Sequence, residues 1–140
     1  MAGVDKLKIK AIIEQGDSGF DITLEYNESV PFGLLGQGKT VEDAKADFEN
    51  SYREMVDLMN RKNIKYPSLE IEYTYSDTTT FLKSVSSTFT MSGLSKITGI
   101  NRKQLGHYVQ GVSRPRPATA IHIQNSISAY IKELSSVRFV

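Results

Sequence analysis

A chain of 140 residues has room for one domain or two small ones, and 24% charged with 39% hydrophobic residues is the balance of an ordinary soluble globular chain. No apolar run approaches the ~18 residues of a membrane span, and the lack of cysteine excludes disulfides and cysteine-held metal and fits a reducing compartment. The net charge of +1 hides a division: residues 1–80 hold nine Lys/Arg against fifteen Asp/Glu, net −6, while residues 81–140 hold eight against one, net +7.

The chain opens MAGVDKLKIKAII, where charges interrupt the apolar residues, so no signal-peptide core is expected. Leu7, Ile9, Ala11 and Ile13 alternate with Lys6, Lys8 and Lys10, the period of a strand with one face buried. Gln15-Gly16-Asp17-Ser18-Gly19 predicts a turn. Phe20, Ile22, Leu24 and Tyr26 then alternate with Asp21, Thr23 and Glu25, which completes a hairpin. Residues 27–31 read as a loop and 32–38 as a short third strand. Thr40 is placed to cap a long helix, with Glu42 and Asp43 suited to its positive end. Val41, Ala44, Phe48, Tyr52, Met55 and Met59 mark one apolar stripe, to about residue 63. Leu69, Ile71, Tyr73 and Tyr75 give a fourth strand. The first half is therefore expected to be β-β-β-α-β, a small sheet with one helix on its apolar face.

Polar Ser76-Asp77-Thr78-Thr79-Thr80 marks a boundary, giving domains at 1–78 and 79–140. A helix containing Phe81, Leu82 and Val85 follows. Residues 90–111, TMSGLSKITGINRKQLGHYVQG, predict two short helices and a tight turn. Leu94 and Ile97 are the apolar positions of the first helix, Gly99 ends it, and Asn101 caps the second. Leu105, Tyr108 and Val109 recur at helical spacing, and Gly111 stops the run. This is the helix-turn-helix pattern, whose second helix enters a DNA major groove. Its outward face would carry Arg102, Lys103, Gln104 and His107; Arg and Lys can donate to guanine, and Gln can read adenine. The loop Gly111-Val112-Ser113-Arg114-Pro115-Arg116-Pro117 is rigid and basic, suited to phosphates. The expected DNA-binding set is Asn101, Arg102, Lys103, Gln104, His107, Tyr108, Arg114 and Arg116. A basic half carrying this pattern is the footprint of a nucleic-acid binder. Pro117 opens a last helix with Ala120, Ile123, Ile127, Ile131 and Leu134 on one face. The whole is α+β, a β-β-β-α-β domain followed by an all-α bundle of about four helices.

Three chemical readings are weighed and set aside. Residues 33–40, Gly-Leu-Leu-Gly-Gln-Gly-Lys-Thr, match the phosphate-loop expression, but no buried parallel strand precedes them and no apolar strand ending in Asp is present to hold magnesium. His107 and His122 stand without cysteine or an acid cluster, so no metal is expected. Asp17 and Asp21 flank a turn, where acids are normal. No nucleophile–base arrangement is suggested. The chain reads as non-enzymatic and without a cofactor.

Taken together, Gly33-x-x-x-Gln37-Gly38-x-Thr40-x-Glu42-x-Ala44 in a β-β-β-α-β half, followed by Leu94-x-x-Ile97-x-Gly99-Ile100-Asn101-x-x-Gln104-Leu105-x-x-Tyr108-x-x-Gly111 and Arg114-x-Arg116-Pro117, resembles the HicB family of bacterial antitoxins. The resemblance covers nearly the whole chain. It implies a degenerate ribonuclease-H-like first domain and a repressor-type DNA-binding second domain. It further implies a bacterial cytoplasmic protein that binds and neutralises a HicA-type mRNA-cleaving toxin and represses its own operon. A homodimer or a pair of dimers is expected on an inverted-repeat operator of double-stranded DNA, because one such unit buries too little surface to find a genomic site. The apolar tail residues Val137, Phe139 and Val140, with the last helix, are the expected contact. The toxin would meet the open face of the sheet (Lys6, Lys8, Asp21, Thr23, Glu25, Glu70, Glu72 and Thr74) or the acidic side of the long helix at Glu42, Glu49 and Asp57. The net of −6 would steer a cationic partner there. Two rivals remain: a stand-alone repressor whose first domain dimerises or senses a ligand, and a nuclease using acids of the first half.

Overall fold

Alternation in the first strand becomes a two-sided sheet in the computed structural model, which describes residues 6–140; residues 1–5, part of the segment read above for a leader, lie outside the described residues. β1 (Lys6–Gln15) and β2 (Phe20–Leu24) form the hairpin, antiparallel, with Ala11 opposite Leu24 and Ile13 opposite Ile22. β3 (Leu35–Gly38) adds antiparallel to β2, and α1 (Val41–Arg61) then carries the chain to β4 (Ser68–Tyr75), parallel to β1. The order is β3-β2-β1-β4. A parallel neighbour needs a crossover, which α1 supplies. The protein is thus α+β, and it divides into two units between Ser76 and Asp77, two residues before the expected boundary because Asp77 and Thr78 belong to the next helix.

The core of the first unit lies between one sheet face and α1: Ala11, Ile13, Ile22, Leu34, Val41, Ala44 and Phe48 are buried together. Fully burying a side chain such as Phe48 contributes roughly 1.5–3 kcal/mol. Its ring meets Tyr73 edge-on at 6.1 Å. Thr40 caps α1 as expected, its hydroxyl accepting from the Asp43 amide at 3.1 Å. Gly36 and Gly38 serve this packing. A Cβ on Gly36 would run into the Ala44 carbonyl and Phe48, so α1 lies directly on the backbone of β3. β3 is an antiparallel edge strand, and α1 covers its outer edge: the Gln37 amide donates to Asp47 at 2.9 Å, and Ser51 Oγ donates to the Leu35 carbonyl at 2.9 Å.

Three boundaries differ from expectation. β3 begins at Leu35, because Phe32 turns to Tyr52 and Tyr66, with centroids at 6.3 and 6.4 Å. β2 ends at Leu24, leaving Tyr26 in solvent where an Asn27 turn takes over. α1 ends at Arg61, and Asn63 takes a positive φ of 56°.

The second unit is α2 (Thr78–Val85), α3 (Met91–Thr98), α4 (Arg102–Gln110) and α5 (Pro117–Ser135). Leu82, Leu94, Leu105, Tyr108, Ile123 and Ile127 form its core. Ile131 and Leu134, expected on the buried stripe of α5, are exposed instead, because α5 outruns the helices beneath it. Among the described residues no helix is long and apolar enough to cross a membrane.

Candidate nucleic-acid interface

Local chemistry fixes both ends of α3 and α4. Thr90 Oγ1 accepts from the Gly93 amide at 2.9 Å and starts α3. Gly99, at φ 76°, takes the left-handed conformation that ends it. Asn101 Oδ1 then accepts from the Gln104 amide at 2.8 Å and starts α4, which Gly111 closes at φ 75°. Side chains of other helices satisfy the terminal carbonyls. His122 of α5 meets the Thr98 carbonyl at 2.6 Å; since a carbonyl only accepts, Nε2 carries the proton. Thr79 of α2 donates to the Tyr108 carbonyl at 2.9 Å. These bonds, with buried Leu94, Leu105 and Ile123, hold α4 against α2 and α3, and α3 in turn against α5.

The residues expected to face outward differ in exposure. Asn101, Arg102 and Lys103 are exposed on the first turn of α4, and Gln104 and His107 are half-buried beside them. Arg114 and Arg116 are exposed in the following loop. Tyr108 is a correction: only 8% exposed, it belongs to the core with Leu105, and its side chain is not free to meet DNA. The recurrence of Leu105 and Tyr108 at i, i+3 already carried that signal.

Two side chains of this surface are held by serines that sequence reasoning passed over. Arg102 Nη1 donates to Ser92 Oγ at 2.9 Å, and Gln104 Nε2 donates to Ser113 Oγ at 3.2 Å. Holding a long side chain in place before binding lowers the ordering cost of contact. Asp77 belongs to the same region. Burial alone would raise its carboxyl, but hydrogen bonds from Thr80 and the nearby Arg114 charge outweigh that and hold it below its ordinary value. Its Oδ1 accepts from the Thr80 amide at 2.7 Å, so it is also the N-cap of α2.

The candidate partner-binding acids fall on two separate surfaces of the first unit. The register puts Asp21, Glu25, Glu70 and Glu72 on the sheet face away from α1. Glu70 stands opposite Lys8 and Glu72 opposite Lys10, so lysines interleave with the acids there. Between the charged rows runs an uncharged one, Leu35–Thr23–Ile12–Thr74, across all four strands. Asp21 accepts from Gln37 Nε2 at 3.2 Å and faces an open polar hollow of about 510 Å³ at the hairpin turn. Glu42, Glu49 and Asp57 are exposed on α1, on the other side of the sheet. Glu49 accepts from the Tyr73 hydroxyl at 3.4 Å, and burial together with the Glu49 charge and hydrogen bond pushes that phenol up to about 12. Lys45 Nζ lies 4.7 Å from the same ring's centroid. Among the described residues no three acids or histidines gather as a metal-binding group. Comparison with protein families, with curated proteins and with solved structures finds no match to this chain.

Proposed function

We propose that the chain is an antitoxin and autorepressor: its second unit reads operator DNA as a helix-turn-helix, and its first unit neutralises a HicA-type mRNA-cleaving toxin. The observation that carries the DNA-reading half is α4 itself. It is capped at both ends, packed against α2 and α3, and exposes Arg102 and Lys103 on its first turn. Residues 77–140 hold eight Lys/Arg against two acids, a net of +6, which favours a polyanion. Arg114 and Arg116 follow on the loop, where phosphate contacts would set the register.

The toxin-binding half rests on charge and on the HicB resemblance. Residues 1–76 carry nine Lys/Arg against fourteen acids, a net of −5, and α1 exposes Glu42, Asp43, Asp47, Glu49, Glu54 and Asp57. An antiparallel meander extended by one parallel strand supports the degenerate ribonuclease-H-like reading of this unit. Inhibition would be occlusion of the toxin's active site, which asks no catalytic group of this chain.

One observation favours the stand-alone repressor as second reading: Lys6, Lys8 and Lys10 interleave with the acids of the open sheet face, so that face steers a cation less than the bare charge suggests. Titrating the full chain into RNA cleavage by the protein of the neighbouring reading frame separates the two. An antitoxin abolishes cleavage near one equivalent, with inhibition weakening as salt rises. Undiminished cleavage, with operator binding intact, leaves the stand-alone repressor.

A further inference from the structure

The sheet has two edge strands, and they are finished differently. α1 lies on β3 and satisfies its outer edge through Asp47 and Ser51. At β4 the Tyr52 hydroxyl accepts from the Leu69 amide at 3.0 Å, near the start of the strand. The Ser76 amide donates to the Ile13 carbonyl at 2.9 Å, which fixes the parity of β4. Its even-numbered residues bond to β1, and its odd-numbered residues point their amides and carbonyls outward. Among the described residues the outward amides of Ile71 and Tyr73 meet no acceptor. The register with β1 runs unbroken over eight residues, and no proline, lysine or bulge blunts the strand. Its charges, Glu70 and Glu72, are acids on one face. Such an edge is a template for a further strand.

We propose that the outer edge of β4 takes an extended segment of another protein, one in which Lys or Arg alternates with apolar residues. The inner side of the same strand shows the preference. There Lys8 stands opposite Glu70 and Lys10 opposite Glu72, while Ile9 and Ala11 stand opposite Ile71 and Tyr73. An added strand of the same alternation repeats this pairing on the outer side. Its cations flank Glu70 and Glu72, which are exposed. Its apolar residues cover Ile71 and Tyr73, which are half-buried where Ile9 and Ala11 are 4% and 0% exposed. Main-chain bonds to Ile71 and Tyr73 supply affinity, and the alternation supplies selectivity in either strand direction. The segment belongs to a different protein because no described strand of this chain fits. β1 and β2 have neighbours on both sides, and α1 covers β3. A second copy of β4 would set Glu70 and Glu72 against the same acids. Docking here requires neither DNA reading by α4 nor a toxin as the partner.

Amide hydrogen exchange of the full chain reads this edge directly, with a short blocked peptide of alternating lysine and valine as the probe. In the chain alone Ile71 and Tyr73 should exchange fast, and Glu70 and Glu72, bonded to β1, slowly. Saturating peptide should slow the first pair roughly tenfold or more. The same peptide with glutamate for lysine should bind roughly tenfold more weakly. So should the lysine peptide N-methylated at alternate residues, which removes main-chain donors and keeps the side chains. These peptide changes leave the protein untouched. Glu70→Gln with Glu72→Gln should weaken the lysine peptide and narrow its advantage over the glutamate peptide, with the circular dichroism spectrum unchanged. Slow exchange of Ile71 and Tyr73 in the chain alone, whichever of its own segments covers them, overturns the proposal. So does a lysine peptide that fails to bind, that leaves the two amides exchanging as before, or that is indifferent to N-methylation.

Discussion

Asp77 joins two kinds of stabilisation in one carboxylate. It caps α2 through the Thr80 amide, and the Arg114 charge favours its ionised form. Replacing it with Ala should cost ~0.5–2 kcal/mol, the range of a lost N-cap. The sign of the pH dependence follows from the lowered carboxyl. The stabilisation is fully present above the unfolded carboxylate value of about 3.9 and is lost as pH falls through the lower folded value. Chemical denaturation at neutral and acid pH should show the difference between wild type and Asp77→Ala shrinking as pH falls below the ordinary carboxylate value, because the folded carboxyl is held lower still. Residues of α4 should separate by role. Gln104→Ala should cost ~1–3 kcal/mol on the operator and relax base preference at one position. Arg114→Ala or Arg116→Ala should weaken all DNA sequences alike and flatten the salt slope. Competition titrations at two salt concentrations distinguish these outcomes. Ser113 adds a finer expectation. Ser113→Ala frees the Gln104 amide now bonded at 3.2 Å, so operator affinity should fall while nonspecific affinity stays level.

At the scale of elements, what could be read from sequence was what is decided locally. Thr40 and Asn101-to-Gln104 capping, and the Gly99 and Gly111 stops, are each settled within a few residues. The α3–turn–α4 boundaries therefore follow from the letters. Elements settled by distant partners did not. β3 lost residues 32–34 because Phe32 finds Tyr52 and Tyr66, twenty and more positions away. Nothing in the alternation of β4 says that it lies parallel to β1. The burial of Tyr108 was half legible, since its spacing from Leu105 fits the core while its ring and hydroxyl suit a groove equally well. Ser92, Ser113, Thr79 and His122 were not legible as supports, because their partners come from other helices or lie nine or more residues away. The turn offers a direct check. Gly99→Ala places a Cβ in the left-handed region and should cost ~1–2 kcal/mol. A melting curve of the variant should shift down by several degrees, and an unchanged curve would mean that the turn tolerates another geometry.

The whole molecule is two units of opposite charge on one chain, and each charge suits a different class of partner. The basic unit offers a helix with two exposed cations at its start, and the acidic unit offers two separated carboxylate surfaces. The assignment of sequence-specific DNA reading to α4 meets its sharpest trial in one titration. Labelled DNA flanking the chain's own coding region, and the same bases scrambled, are titrated with the full chain and with Arg102→Ala/Lys103→Ala at near-physiological salt, and followed by fluorescence anisotropy. Wild type should prefer the native flank by ~10³-fold or more, and the double variant should lose most of that preference while keeping its fold and its weak affinity for the scrambled duplex. Equal binding of the two duplexes by wild type, or a preference untouched by the double substitution, would contradict the assignment of DNA reading to this helix.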